Sequence, residues 1–391
     1  MIAFTGGKIL TMAGDALENG TICVEDGKIV SVTEGEGAPQ GARIVDIAGK
    51  VVTPGLIDAH THMGVHSEGL VWSSEDYNER CNPVTGQVDV LDGFYPFDIG
   101  LLESLSGGVT TAMIAPGSAN PIGGRCMIVK TRANADVERM VLKRDAGLKT
   151  AFGENPRRNY GNERKSPVTR MGIAAVIREA LQHAKEYMAA REKGVRPVDF
   201  NLETIAKVLR KEMPLRAHAH RVDDILTALR IARDFDVEIV IEHATEGHLI
   251  ADRLAAEKIP VVSGPLFKTR AKMEINERSW LAPAIFERAG VKFSLISDHP
   301  VVPCRFMTVY AALAVRFGLS REAALKAMTI HAAEIMGIDD RVGSIAPGKD
   351  ADFVVWSGDP LDILTRPEKV VVDGAIGLVD MAAGQKITQW L

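Results

Sequence analysis

Between residues 54 and 300 the chain repeats one pattern, a short apolar run followed by an amphipathic stretch of helical period. Apolar runs lie at 56–62, 109–116, 126–131, 148–154, 214–220, 237–243, 259–265 and 291–299. Each has the length of a strand, and segments such as 222–235 and 248–258 between them carry apolar residues at three- and four-residue spacing. Strands that alternate with helices predict βα units and a parallel sheet, and eight such strands are the number that closes a barrel. The flanks read differently. The stretch 21–35 alternates apolar residues around an Asp26-Gly27 turn, a hairpin signal. Residues 43–55, 343–360 and 367–377 are again strand, turn, strand. The expected α/β architecture is therefore a (β/α)8 TIM-like barrel over 54–345, with a small discontinuous β-sandwich domain built by both chain ends, 1–53 plus 346–391.

Bulk properties narrow the function classes. A net charge of -5 argues against a nucleic-acid or anionic-membrane partner. No uninterrupted apolar run approaches the roughly 18 residues of a membrane span. The first twenty residues lack a basic region followed by a long apolar stretch, so no secretory leader is expected. Cys23, Cys81, Cys126 and Cys304 are scattered and form no CxxC pair, as expected of reduced cysteines in a cytoplasmic protein. A small-molecule substrate is expected, and the choice between monomer and homo-oligomer stays open.

The residues that carry chemistry stand at the ends of the apolar runs. His60 and His62 close the first run in DAHTH, and residues two apart on a strand share a face. His218 and His220 repeat that spacing in RAHAH, and His243 follows within about one βα unit. Asp298 ends the last run, in LISDHP. Imidazoles and a carboxylate at one rim suit a divalent metal, with zinc the first choice, as one ion or two. Each residue also has an ordinary reading: core histidines in hydrogen-bond networks, and a helix-capping aspartate.

The run PGLIDAHTH directly after a β-rich segment, together with the closing GSIAPGKDADFVVW, closely resembles the amidohydrolase superfamily. The nearest branch holds imidazolonepropionase-like enzymes and cytoplasmic prolidases. The resemblance implies that His60 and His62 ligate metal, that the fifth and sixth strands give one ligand each, and that Asp298 touches the metal and takes a proton from water. His243 is the sixth-strand ligand. On the fifth, HAHRVDDI aligns best with His218 as ligand and His220 facing substrate, with the reverse kept open. Where relatives bridge two metals they use a carboxylated lysine or a glutamate near the fourth strand. Lys149 sits five residues before Glu154, about 16 Å lower on an extended strand and on the opposite face. Glu154 is therefore the expected bridge, with Lys130 a lesser candidate. Arg157 and Arg158 after it are candidates for binding a substrate carboxylate, unless they are solvated surface. His66, Glu68 and Asn82, in the long loop 66–96, are candidates for substrate contact by position.

The implied activity is metal-assisted hydrolysis of an amide, cyclic amide or dipeptide C–N bond. Deamination of an amino-heterocycle is the alternative. Relatives with that activity carry a glutamate three residues after the fifth-strand histidine, where this chain has Arg221 or Asp223. A non-catalytic, scaffold-like relative is the remaining reading.

Overall fold

The computed structural model describes residues 1–35, 37–68 and 74–391. Residues 69–73, within the long loop that begins at His66, lie outside this described set. At the centre is an eight-stranded sheet whose strands pair in chain order. They are Leu56–Thr61, Val109–Ile114, Ile122–Lys130, Val141–Ala151, Leu215–Ala219, Ile239–His243, Val261–Ser263 and Phe293–Leu295. Alternation sorts their side chains. Leu215, Ala217, Ile239 and Ile241 face the surrounding helices in the largest apolar cluster, while Arg216, His218, Val240 and Glu242 take the other face. Helix Val222–Phe235 shows why the expected periodicity works: Ile225, Ala228, Leu229 and Ala232 are buried at three- and four-residue steps.

The sheet almost closes on itself. Among the described residues no strand ladder joins the last strand to the first, and Asp58 bridges the seam. Its carboxylate accepts from the backbone N–H of Ser297 at 3.1 Å and from the Ser297 hydroxyl. Just above, the His62 N–H donates to the His299 carbonyl at 2.8 Å. The lower interior is an apolar plug of Ile57, Met113, Ile128, Val240, Val262 and Ile296, floored by residues of helix Ile330–Met336.

The expectation of eight parallel strands needs one correction. The third strand runs antiparallel to both neighbours. Its connections, 115–121 and 131–140, are shorter than the dozen or so residues that a parallel crossover requires. The chain can only turn back there.

Both chain ends build a second, nine-stranded sheet. Strand Val51–Pro54 pairs with Ile2–Ile9 on one side and with Phe353–Trp356 on the other, so residues three hundred apart in sequence share one ladder. Phe4 and Phe353 meet edge to face at 4.8 Å inside it. No helix among the described residues is long and apolar enough to cross a membrane.

The reversed third strand also decides the place of Lys130. As the last residue of an antiparallel strand, Lys130 emerges at the end of the barrel opposite the strand tips that carry the histidines. There its ammonium contacts Asp352 at 2.6 Å, Asp350 at 2.9 Å and Asp373 at 3.1 Å, all from the C-terminal segment. Burial alone would favour the neutral amine, but the three carboxylates hold its pKa above the usual lysine value. Lys130 thus ties barrel to sheet and is not a metal ligand. Lys130→Met strands buried Asp352 without its cation, while Arg341 and Lys28 still hold Asp350, and is expected to cost about 3–5 kcal/mol in urea unfolding. A loss below about 1 kcal/mol would show that the cluster does not hold the two parts together.

Candidate metal centre and active site

The histidines meet at the C-terminal tips of the strands because of two irregularities in the backbone. In the first strand, Asp58 pairs with Ala112 and Thr61 with Ile114, so that strand carries one extra residue. The bulge turns His60 to the interior along with Ala59, and His62 follows two residues on. Strict alternation from the buried Ile57 would have sent both histidines outward. On the sixth strand Glu242 faces inward, and His243, next in line, has φ 69°. This left-handed backbone turns its ring back toward the interior. Asp298 is likewise left-handed, at φ 57°. Such conformations cost about 1–3 kcal/mol each and cluster at functional sites.

The resulting cluster is tight. His60 Nε2 and His62 Nε2 both stand 3.4 Å from Asp298 Oδ1. Ring centres are 5.0 Å apart for His60 and His243, 4.5 Å for His218 and His243, and 4.7 Å for His218 and His220. His60, His243 and Asp298 bring donor atoms within 4.8 Å of one another, and so do His218, His220 and Glu274. His62 donates its Nδ1 proton to the Ala115 carbonyl, and His243 donates its own to the Gly264 carbonyl, each at 2.8 Å. Each ring then presents an Nε2 lone pair to the cavity, the arrangement that metal-binding histidines require. The Nε2 atoms of His60 and His218 are buried without a hydrogen-bond partner. Unsatisfied imidazole nitrogens beside a carboxylate fit a divalent cation.

Charge in the site is set by what lies beneath it. Glu242 is fully buried, with His60 Nδ1 at 3.0 Å and Arg216 Nε at 2.9 Å on one oxygen and Lys149 on the other. Burial would raise its pKa, but His60, Lys149 and Arg216 hold it well below the carboxylate range. Burial would likewise strip His60 of its proton, yet Glu242 outweighs it and raises that imidazole above its ordinary value. Burial dominates elsewhere: it lowers His62, pushes His218 and His220 well down, and takes His243 to about 3. Those rings stay neutral near pH 7. Asp298 would be raised by burial, but the imidazoles of His60 and His62 beside it hold it well below normal, so it is ionised.

The cavity above the cluster measures about 160 Å³. Of the residues expected there, His62, His218, His220, His243 and Asp298 line it, and His60 lies beneath. His66 lines it too, stacked on Tyr77 with ring centres 4.3 Å apart. Asn82 does not: it is exposed, and its side chain accepts from the Val84 N–H in a local turn. Arg157, which reaches the Val168 carbonyl, Arg158, which is exposed, and Glu68 do not line it either.

Glu154 is not brought into the cluster. The fourth strand stops at Ala151 and Glu154 opens a helix, after Gly153 turns the chain at φ 82°. A Cβ on Gly153 would lie 2.4 Å from Glu274, so only glycine fits. Glu154 instead clasps Glu274: the Glu154 N–H donates to Glu274 Oε2 at 2.8 Å, and the Glu274 N–H donates to Glu154 Oε1 at 3.1 Å. The clasp holds the segment 264–281 against the site. It brings buried Glu274 within 3.7 Å of His220 Nε2, with Lys272 as its cation. Lys149, rejected by parity with Glu154, faces the interior beside Arg216 and lines the cavity. The parity argument failed because Glu154 is not on the strand, and because a lysine side chain climbs well above its own Cα.

Sequence reasoning passed over Glu242 and Glu274, and weighed Lys149 only to reject it. Glu242 had a signal: a carboxylate inside the apolar run 237–243 must be paired if buried. Glu274, on an irregular segment, had none.

Comparison with known proteins agrees with this geometry. Residues 51–379 match the model of the Amidohydrolase family. An amidohydrolase structure from Thermotoga maritima superposes with TM-score 0.93 at 45% identity, covering 96% of this chain and 99% of that one. Amidohydrolase tasK of Hapsidospora irregularis is 30% identical over 91% of this chain, which spans only 39% of that longer protein. Imidazolonepropionase of Sphingopyxis alaskensis is 24% identical over 93% of each chain.

Glu154→Gln should leave the metal content of the purified protein unchanged, whereas His243→Ala should lower it about tenfold or more. Elemental analysis after dialysis reads both. Metal loss in Glu154→Gln would return that residue to the ligand set.

Proposed function

Because this chain belongs to the amidohydrolase family, we propose that it cleaves an amide, cyclic amide or dipeptide C–N bond with water activated by a divalent metal, zinc in the first instance. That it is a hydrolase acting on carbon–nitrogen bonds follows from the family and its relatives. The observation that carries the finer reading is the set of imidazole Nε2 lone pairs converging on Asp298, with the His62 and His243 tautomers fixed by backbone carbonyls.

In this reading His60, His62, His218, His243 and Asp298 hold the metal. Lys149, whose ammonium pairs with Glu242, lines the cavity at the station first expected of Glu154. A bound divalent ion lowers the pKa of water from ~15.7 to about 7 and polarises a carbonyl oxygen. Asp298, held ionised, accepts the proton of the attacking water and delivers it to the leaving nitrogen. His220 lies 2.7 Å from the Thr245 hydroxyl through Nδ1. With that hydroxyl as donor, its proton sits on Nε2, and a neutral imidazole there stabilises charge developing on the carbonyl oxygen. The substrate is a small molecule, as a cavity of about 160 Å³ suits, and a cytoplasmic setting fits four free cysteines. Deamination is disfavoured, since Arg221 and Asp223 pair with each other at 2.9 Å and neither lines the cavity.

The test is a screen of N-acyl amino acids, dipeptides and cyclic amides with chelator-treated and zinc-restored protein. Turnover should vanish on chelation and return with zinc, and ammonia in place of a carboxylate product would move the assignment to deamination. Against the active compound, Asp298→Asn should lower kcat by about 10²–10⁴-fold. His220→Ala should lower it by about 10²–10³-fold. Unchanged kcat in both would remove these roles.

A further inference from the structure

The segment 264–281 carries more positive charge into the site than its carboxylates balance. Lys272 is paired with Glu274, and the Arg270 side chain donates to the Asn276 carbonyl at 2.8 Å. Lys268 and Arg278 differ: among the described residues, neither forms an ion pair or a side-chain hydrogen bond, and Arg278 Nη1 is buried without an acceptor. Both line the inner cavity. A guanidinium nitrogen withdrawn from water with nothing to receive its hydrogen is costly unless a ligand brings the acceptor.

The same two residues line a second, open groove of about 650 Å³. Its other walls are mostly apolar, formed by Leu266, Phe267, Trp280, Leu313 and Phe317, with Thr269 and Arg316 as the polar exceptions. Trp280 stacks on Phe317 with ring centres 5.9 Å apart, and Phe267 lies 6.4 Å from Trp280. Phe267 and Phe317 are exposed. The order outward from Asp298 is therefore a small polar chamber, a neck with two unpaired cations, and an apolar trough.

Resting on the hydrolase reading, we propose that Lys268 and Arg278 seat a carboxylate one short step from the scissile bond and that the trough takes a large apolar side chain. The substrate class this order describes is an N-acylated amino acid with a small acyl group and an apolar side chain. The acyl group enters the chamber, the α-carboxylate stops at the neck, and the side chain lies along Trp280 and Phe317. Arg278 binds the carboxylate through its planar fork, for which lysine is an incomplete substitute.

Binding is read by calorimetry on the zinc-loaded Asp298→Asn protein, whose turnover is suppressed. The probes are N-acetyl-L-phenylalanine, its uncharged carboxamide, and N-acetylglycine. The acid should bind at least about tenfold tighter than the carboxamide. Arg278→Ala added to that protein should bring the ratio close to one, Arg278→Lys should keep part of it, and Lys268→Ala should reduce it. Trp280→Ser should erase the preference for phenylalanine over glycine without touching the acid preference. Equal binding of acid and carboxamide, a ratio that Arg278→Ala and Lys268→Ala leave in place, or no binding of any probe overturns the proposal. A dimer seen in sedimentation that Phe317→Ala dissolves, with Trp280→Ser silent toward the probes, assigns the trough to a second copy and overturns the apolar half. Zinc-dependent cleavage of uncharged amides without acid preference would sink the carboxylate seat and spare the hydrolase reading. Arg278-dependent acid binding in a wild-type protein that cleaves no amide would do the reverse.

Discussion

One fully buried carboxylate organises the upper half of the barrel. Glu242 gathers Lys149 from the fourth strand, Arg216 from the fifth and His60 from the first. A charge in that position is tolerable only when paired and hydrogen-bonded, so the three strands must present their cations at one height. Arg216 uses its remaining reach to donate to the Ala59 carbonyl at 2.8 Å, which supports the bulged backbone that aims His60. The layer also separates two environments. Below it the barrel is an apolar plug, and above it four buried imidazoles stay neutral, those of His62 and His243 with lone pairs facing inward.

The working end departs from regular strand geometry wherever a functional side chain must be re-aimed. The bulge at Ala59–His60, the left-handed backbone at His243 and at Asp298, and the turn at Gly153 all lie at strand tips. Regular pairing below holds these positions in place, so strain there is borne by the ladder. The clasp between Glu154 and Glu274 plays a comparable part for the segment 264–281, since reciprocal hydrogen bonds from each backbone N–H to the other's carboxylate fix an irregular stretch outside the described strand ladders.

The opposite end is tied down by a cluster of the same kind with the signs inverted. Lys130 is one buried cation among Asp350, Asp352 and Asp373, with Arg341 and Lys28 satisfying Asp350 from the rim. It reaches them because its strand runs backward. The reversal that removes Lys130 from the metal centre therefore supplies the bond between barrel and terminal sheet.

By itself the sequence determined the layered plan and the identity of most side chains at the rim. Eight apolar runs at βα spacing required a barrel, and HxH at two strand ends with an aspartate at the last named the cluster, since period and residue type are local properties. What only the tertiary structure decided is direction and reach. Parity arguments treat strands as straight and uniform, and they misjudged Glu154, which had already left its strand, and Lys149, whose long side chain rises to the site. The antiparallel third strand, the partnership of Glu242 and the arrival of Glu274, Lys268 and Arg278 from one irregular segment depend on contacts between residues far apart in sequence. Those contacts are set by burial of charge and by closure of the sheet, neither of which leaves a periodic trace along the chain.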